Sequence, residues 1–344
     1  MTREVPPRRT APRRWAPALA CGVAAVLVLS AAATAGALPS AGAAPGALSR
    51  PVPVVAPYFE PTNVHTHSLL KAIRHHGLSA FTAAFVLGRG CTPTWDDDSP
   101  ITGTDANSRL VEQAIRAGGR PILSFGGQAG DELATTCIRR GKLVAAYQRV
   151  MTLFGTRRLD FDIEGARRLD DTATNARRFR ALRALEQRYP DLEVSLTVPV
   201  DRDGLNGTRR YGDVVALLRQ AQRLGTRVDV VNLMTMDYGG PVANMGAAAT
   251  AAATDALAQI KRIWPHDGWA NIGITPMIGH NDVAHEVFTP SDARVVRRFA
   301  SQHGVGRLAF WAVNRDNPCG PSGRLDTCSG VAQRPFEFTD LVVG

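Results

Sequence analysis

Eight short apolar segments alternate with longer segments of helical periodicity, and this alternation is what most narrows the choice of folds. The strand segments are Val52–Tyr58, Ala80–Val86, Pro121–Phe125, Leu159–Ile163, Glu193–Val198, Val228–Met234, Asn271–Met277 and Arg307–Ala312. Between them lie Ser68–His76, Ala106–Ala117, Lys142–Phe154, Thr172–Arg188, Tyr211–Leu224, Ala247–Ile263 and Pro290–His303, each with helical spacing. Strand–helix repetition leads to a parallel sheet, because a parallel pair needs a long crossover and the crossover helices cover the sheet. Eight units predict closure into an α/β fold of the (β/α)8 TIM-barrel type. An open doubly wound sheet is the alternative, but no Gly-x-Gly-x-x-Gly loop follows the first strand. No linker or low-complexity tract divides residues 51–344, so they read as one barrel domain. In a barrel the chemistry sits where strands end and the loops to the helices begin.

Residues 1–44 read as a secretory signal peptide. Arg8-Arg9 and Arg13-Arg14 precede an apolar stretch from about Ala16 to Ala37, and Ala41-Gly42-Ala43-Ala44-Pro45 supplies small residues for a cut site. A membrane anchor is the competing reading, but the stretch is Ala/Gly-rich and lacks Leu/Ile density. Cys21 sits too early in it for a lipoprotein cut. Residues 45–50 read as a short disordered lead-in. The expected product is a secreted, extracellular monomer with no stable membrane association. The formal charge is +9, but the first 44 residues hold five arginines and one acid, and the rest of the charge forms no basic run. A nucleic-acid partner is therefore not expected. Export leaves Cys91, Cys137, Cys319 and Cys328, an even set that reads as two disulfides. Cys319 and Cys328 flank a short Gly/Pro/Ser segment, which favours pairing them with each other and Cys91 with Cys137 among three connectivities. No Cys-x-x-Cys spacing suggests zinc.

The fourth strand segment carries the chemistry. Asp160, Asp162 and Glu164 alternate with Leu159, Phe161 and Ile163, and on a strand every second residue shares a face. A barrel strand is buried on both sides, so the acids point inward and the apolar residues meet the helices. Three inward carboxylates cannot all ionise cheaply, which raises at least one pKa toward the range a general acid needs. A metal site built on Asp-x-Asp is the weaker reading, since no third ligand is evident. No cofactor is expected.

This row resembles the Asp-x-x-Asp-x-Asp-x-Glu signature of family 18 glycoside hydrolases, the chitinases and their relatives, with Arg157 in place of the first Asp. Ser124-Phe125-Gly126-Gly127 resembles the family's Ser-x-Gly-Gly after the third strand. Met234-Thr235-Met236-Asp237-Tyr238 resembles its Met-x-Tyr-Asp motif, with Met236 where the Tyr usually stands. Together with Thr275-Pro276-Met277-Ile278-Gly279-His280-Asn281-Asp282 and Phe310-Trp311-Ala312-Val313-Asn314-Arg315-Asp316, these motifs are similar to a bacterial and archaeal branch of chitinase-like domains.

The resemblance implies retaining, substrate-assisted hydrolysis of β-1,4-linked N-acetylglucosamine polymers, an exception to the two-carboxylate scheme. Chitin or a chitooligosaccharide is then the partner. Glu164 is the general acid and base, Asp162 holds the substrate's acetamido group, and Asp160 shares a proton with Asp162. Trp311 matches the tryptophan that floors the central sugar subsite, although a barrel plug fits it equally. Asp237, Tyr238, Met236 and Asp282 are the expected contacts at strands six and seven. A loop cap is the bland alternative for Asp282. Tyr58 ends the first strand, either lining the pocket or packed in the core with its hydroxyl satisfied. Trp95, in the second loop, is read as an outer sugar platform. His65, His67, His75 and His76 read as surface residues. A chitin-binding lectin on the same barrel is the alternative from another class, although such proteins usually lack the acid at the Glu164 position. An endo-β-N-acetylglucosaminidase acting on N-glycans is the alternative within enzymes.

Overall fold

The computed structural model describes residues 54–344 apart from 64, 206–210 and 321–322. The signal-peptide and lead-in readings fall outside these residues. Eight parallel strand positions form a ring. Strands two to seven are Ala80–Arg89, Arg120–Gly126, Arg158–Asp162, Glu193–Pro199, Val230–Met234 and Ile272–Thr275, and the eighth is Arg307–Leu308. The first position is made of two pieces. Val54–Val55 pairs with the eighth strand and Tyr58–Phe59 with the second, so the ring closes through a kink at Ala56-Pro57. The backbone ladder continues past the short eighth strand, with Tyr58 N–H donating to Phe310 O at 3.0 Å and Trp311 N–H to Pro276 O at 2.9 Å.

Helix starts follow local chemistry. Asp105, Asp171, Asp213 and Asn244 each accept a backbone N–H at the first turn of helices Ala106–Arg116, Thr172–Arg188, Val214–Arg223 and Met245–Ile260. Pro290–His303 begins with a reciprocal Thr289–Asp292 cap and ends at Gly304 in the left-handed region, φ 71°. Three further helices were not read from the sequence: Leu133–Thr136, Ala166–Leu169 and Glu337–Val343. A short antiparallel strand, Thr92–Trp95, folds back on the second strand, and Gly279–His280 pairs with Val287–Phe288 beyond the seventh.

Leu123, Phe125, Leu159, Phe161, Val194 and Leu196 face outward into the helix layer, where the main apolar core lies. The barrel interior is different. Its lower layer holds Ala56, Ala80 and Ile122, and above that it is polar. Asp160, fully buried, takes hydrogen bonds from Tyr58 at 3.0 Å, Ser124 at 2.8 Å, Thr197 at 2.8 Å and Ser195. Asn232 donates to Thr197 at 3.0 Å and accepts from Thr275 at 2.8 Å. Arg307 reaches up from the eighth strand, donating to Ser195 and lying 3.8 Å from Asp160 and in contact with Glu193. Both expected disulfides are present, Cys91–Cys137 and Cys319–Cys328. Arg157, the departure from the acidic signature, stacks over the Tyr189 ring at 4.3 Å, a partner on the helix side of the barrel and away from the carboxylates.

Candidate active site

All eight strand positions send residues to one cleft at their C-terminal ends. Its lining includes Tyr58, Phe85, Gln128, Asp162 and Glu164 from the first four, and Thr197, Met236, Asp237, Asp282 and Trp311 from the rest, around a volume of about 120 Å³. Strand alternation explains the placement of the acids. Asp160 and Asp162 share the inward face, and Glu164 follows just past the strand end, before Gly165 turns the chain at φ 75°.

The three acids divide into two environments. Asp160 is saturated by hydroxyls and sits above Arg307, whereas Asp162 and Glu164 face each other across the cleft floor. The expectation that Asp160 shares the proton of Asp162 is therefore corrected: Asp162 pairs with Glu164. Burial raises Asp162 well above the usual carboxylate range, and the charges of Glu164 and Asp160 add to it. Burial raises Glu164 to about 7, with Arg168 and the hydrogen bond to Asp162 pulling it back and Asp237 and Asp282 pushing it up. Two close carboxylates with raised proton affinity hold one proton between them near neutral pH. Oδ1 of Asp162 is buried and has no protein hydrogen-bond partner, which leaves it an acceptor for a ligand group.

Trp311 forms one wall. Its ring stacks on Phe85 with centroids 5.5 Å apart at 13°, and Tyr58 tilts against it at 5.8 Å. Tyr58 fulfils both readings made of it: it lines the cleft, and its hydroxyl is held by Asp160 and Thr197. Asp237 adopts a left-handed backbone, φ 51°. Its N–H donates to Asn281 Oδ1 and its carboxylate accepts from Val283 N–H at 3.1 Å. Burial raises Asp237 to about 6, assisted by Asp282 and Glu286.

Three further expectations are overturned. Trp95 is fully buried, its N–H donating to Asp105 and Ser108 at 3.2 Å and its ring packed on Phe154. The Thr92–Trp95 hairpin returns the indole to the core, so it offers no sugar platform. Tyr238 is also packed in the core rather than along the cleft, because the left-handed turn at Asp237 reverses the alternation and leaves Met236 and Asp237 facing the cavity. His76 is half-buried rather than free at the surface, pairing with Asp340 at 2.7 Å and stacking on Phe336.

Sequence reading missed four residues. Phe85 reaches the cleft because the register slips between Ala83 and Val86, a shift that alternation does not foretell. Gln128 follows the Gly126-Gly127 turn and carries no recognisable spacing. Arg307 is one of many arginines. Glu286 is buried and accepts the backbone N–H groups of Tyr238, Gly239 and Gly240 at 3.0, 2.8 and 3.3 Å, tying the sixth-strand loop to the seventh. A larger cavity, about 540 Å³, lies at the opposite end of the barrel beside Arg158, Glu193, Asp229 and Arg307. There burial raises Glu193, but Arg307 and Arg158 outweigh it and hold the carboxyl below its ordinary value. Among the described residues no three His, Cys, Asp or Glu side chains are grouped to hold a metal ion.

The profile of glycosyl hydrolases family 18 matches residues 54–273. The chain belongs to this family. The catalytic domain of a hyperthermophilic chitinase from Pyrococcus furiosus superposes with a TM-score of 0.72 at 31% identity, covering 86% of this chain and 96% of that one. A probable bifunctional chitinase/lysozyme of Escherichia coli is 32% identical over 291 residues, and endochitinase 11 of Metarhizium anisopliae is 30% identical over 286. Both matches take 78% of this chain, which spans about a third of the first relative and about half of the second. The family 18 signature thus falls on the carboxylates that the fold brings to the cleft floor.

Proposed function

We propose that this chain is a secreted chitinase that cleaves β-1,4-linked N-acetylglucosamine polymers with retention of anomeric configuration. The observation that carries the reading is the buried, hydrogen-bonded Asp162–Glu164 pair at the floor of a cleft walled by Trp311. In the first step the pair's proton resides on Glu164 and passes to the glycosidic oxygen as the bond to the anomeric carbon breaks. The carbonyl oxygen of the substrate's own acetamido group forms the new bond to that carbon, giving an oxazolinium ion. Asp162, now ionised, accepts the acetamido N–H through its unpartnered oxygen and faces the positive charge. In the second step Glu164 takes a proton from water, the water oxygen bonds to the anomeric carbon, and the acetamido group reforms. Asp160 acts from below, adding negative charge that favours a proton on Asp162 in the resting state. The names of both curated relatives support chitin as the polymer. A lectin reading is disfavoured because it gives no role to an acid held near pH 7.

The test is incubation with N-acetylglucosamine oligomers and with an N-glycopeptide, with the first-formed anomer read by NMR. The expected result is β-anomeric product from the oligomers, with Glu164→Gln reducing turnover by roughly 10²–10⁴-fold while oligomer binding persists. An α-anomer as first product, or wild-type turnover in Glu164→Gln, refutes the mechanism. Cleavage of the glycopeptide alone moves the substrate to N-glycans.

A further inference from the structure

Arg168 lies four residues past Glu164, on the short helix Ala166–Leu169. Its Nη1 donates to the carbonyl oxygen of Glu164 at 3.4 Å, and its Nη2 donates to the carbonyl of Gly130 in the loop after the third strand. Its Nε is buried and makes no hydrogen bond. Arg167 reinforces the same link, pairing with Asp131 at 3.1 Å, but its side chain is 70% exposed and projects to solvent. Gln128, which lines the cleft, sits in the loop so held.

We propose that Arg168 is a positioning residue for the acid, pinning the Glu164 turn against the third-strand loop and placing a fixed positive charge beside the Asp162–Glu164 pair. This rests on the assignment of Glu164 as the acid. The other charges around Glu164 are Asp162 on its own strand, Asp237 from the sixth-strand loop and Asp282 from the seventh, with Asp160 acting on Asp162 from below and Arg315 lying behind the two loop aspartates. Those facing the pair are all acidic, and of the influences that lower proton affinity Arg168 is the strongest on both members. Without it the pair is a buried anion surrounded by anions, and its proton is held more tightly. The guanidinium thus sets the pH at which the acid can act, from a position outside the residues that line the cleft.

The test separates field from tether. Arg168→Gln and Arg168→Met remove the charge. Arg168→Lys keeps the charge but not the two-pronged link. Arg167→Gln weakens the loop link without touching the field. The free proteins are titrated by carboxyl carbon NMR, with Glu164 assigned by the resonance lost in Glu164→Gln, so the readout needs no substrate and stands whether or not chitooligosaccharides are cleaved. The expected result is an upward move of the Glu164 midpoint by about half to one pH unit in both neutral variants, and by less than about 0.2 unit in Arg168→Lys and Arg167→Gln. In the cleavage assay the alkaline limb of kcat/KM follows the same order. An unmoved or lowered midpoint in a folded neutral variant overturns the proposal, as does an equal shift in Arg167→Gln. A fall in thermal stability without a moved midpoint reduces Arg168 to a loop fastener and overturns it too.

Discussion

Removing the carboxylate of Asp160 measures how much the polar barrel interior depends on one charge. Four hydroxyls converge on it, from Tyr58, Ser124, Ser195 and Thr197, and Arg307 stands 3.8 Å below. A hydrogen bond to a charged acceptor contributes about 1.5–3 kcal/mol. The four are not additive, since Tyr58 and Thr197 are 2.9 Å apart and can turn toward each other. Arg307 also retains Glu193 as a partner. Breaking a buried ion pair from one side costs about 3–5 kcal/mol, so Asp160→Ala is expected to lose about 4 kcal/mol. With an unfolding entropy of about 2.1 cal/mol/K per residue over roughly 290 residues, that lowers Tm by about 6–7 °C. Asp160→Asn keeps the shape and half of the acceptors, and falls between Asp160→Ala and wild type. Calorimetry with a parallel denaturant titration reads both. A Tm for Asp160→Ala within about 1 °C of wild type would show that the hydroxyls satisfy one another and that the charge is dispensable.

Two further outcomes follow from the two tryptophans and from the cleft acid. Trp311→Ala is expected to weaken oligomer binding by about tenfold or more while Tm changes little, and Trp95→Ala to lower stability by about 3–5 kcal/mol with KM unchanged in whatever folds; paired calorimetry and binding isotherms decide, and the reverse pattern contradicts the placement of either ring. Glu164 is raised from 4.5 to about 7. A raised acid contributes its full stability below its unfolded pKa and loses it as pH climbs through the folded one. Wild type should therefore lose stability relative to Glu164→Gln between pH 5 and pH 8, measured as the difference in denaturant midpoints; parallel curves across that window would contradict the burial of the charge.

The barrel was legible because its signal is repeated. Each strand segment is apolar and bounded, each helix is periodic, and errors at one boundary do not disturb the next. The acids were legible for the same reason: alternation over Leu159–Ile163 holds because the fourth strand is regular. Legibility failed where the backbone departs from the repeat. Phe85 follows a register slip, Tyr238 follows a left-handed residue, and Trp95 is turned inward by a hairpin whose pairing lies outside the barrel pattern. Arg307 and Glu286 were invisible for another reason. Their importance lies in partners more than 40 residues distant, and neither is distinguished locally from the other arginines and glutamates. Arg157 shows the converse: a break in a motif that looked chemical is explained by a ring beside it.

Glu286 also limits how this scaffold can be altered. One carboxylate holds three successive amides of a neighbouring loop, so the walls contributed by strands six and seven behave as a single module. Transplanting either wall alone from a homologue would leave the buried Glu286 carboxylate, or the buried Tyr238 amide, without its partner. Recombination to redesign the pocket should move residues 235–240 and 277–288 together, and a junction between them should give poorly folded chimeras.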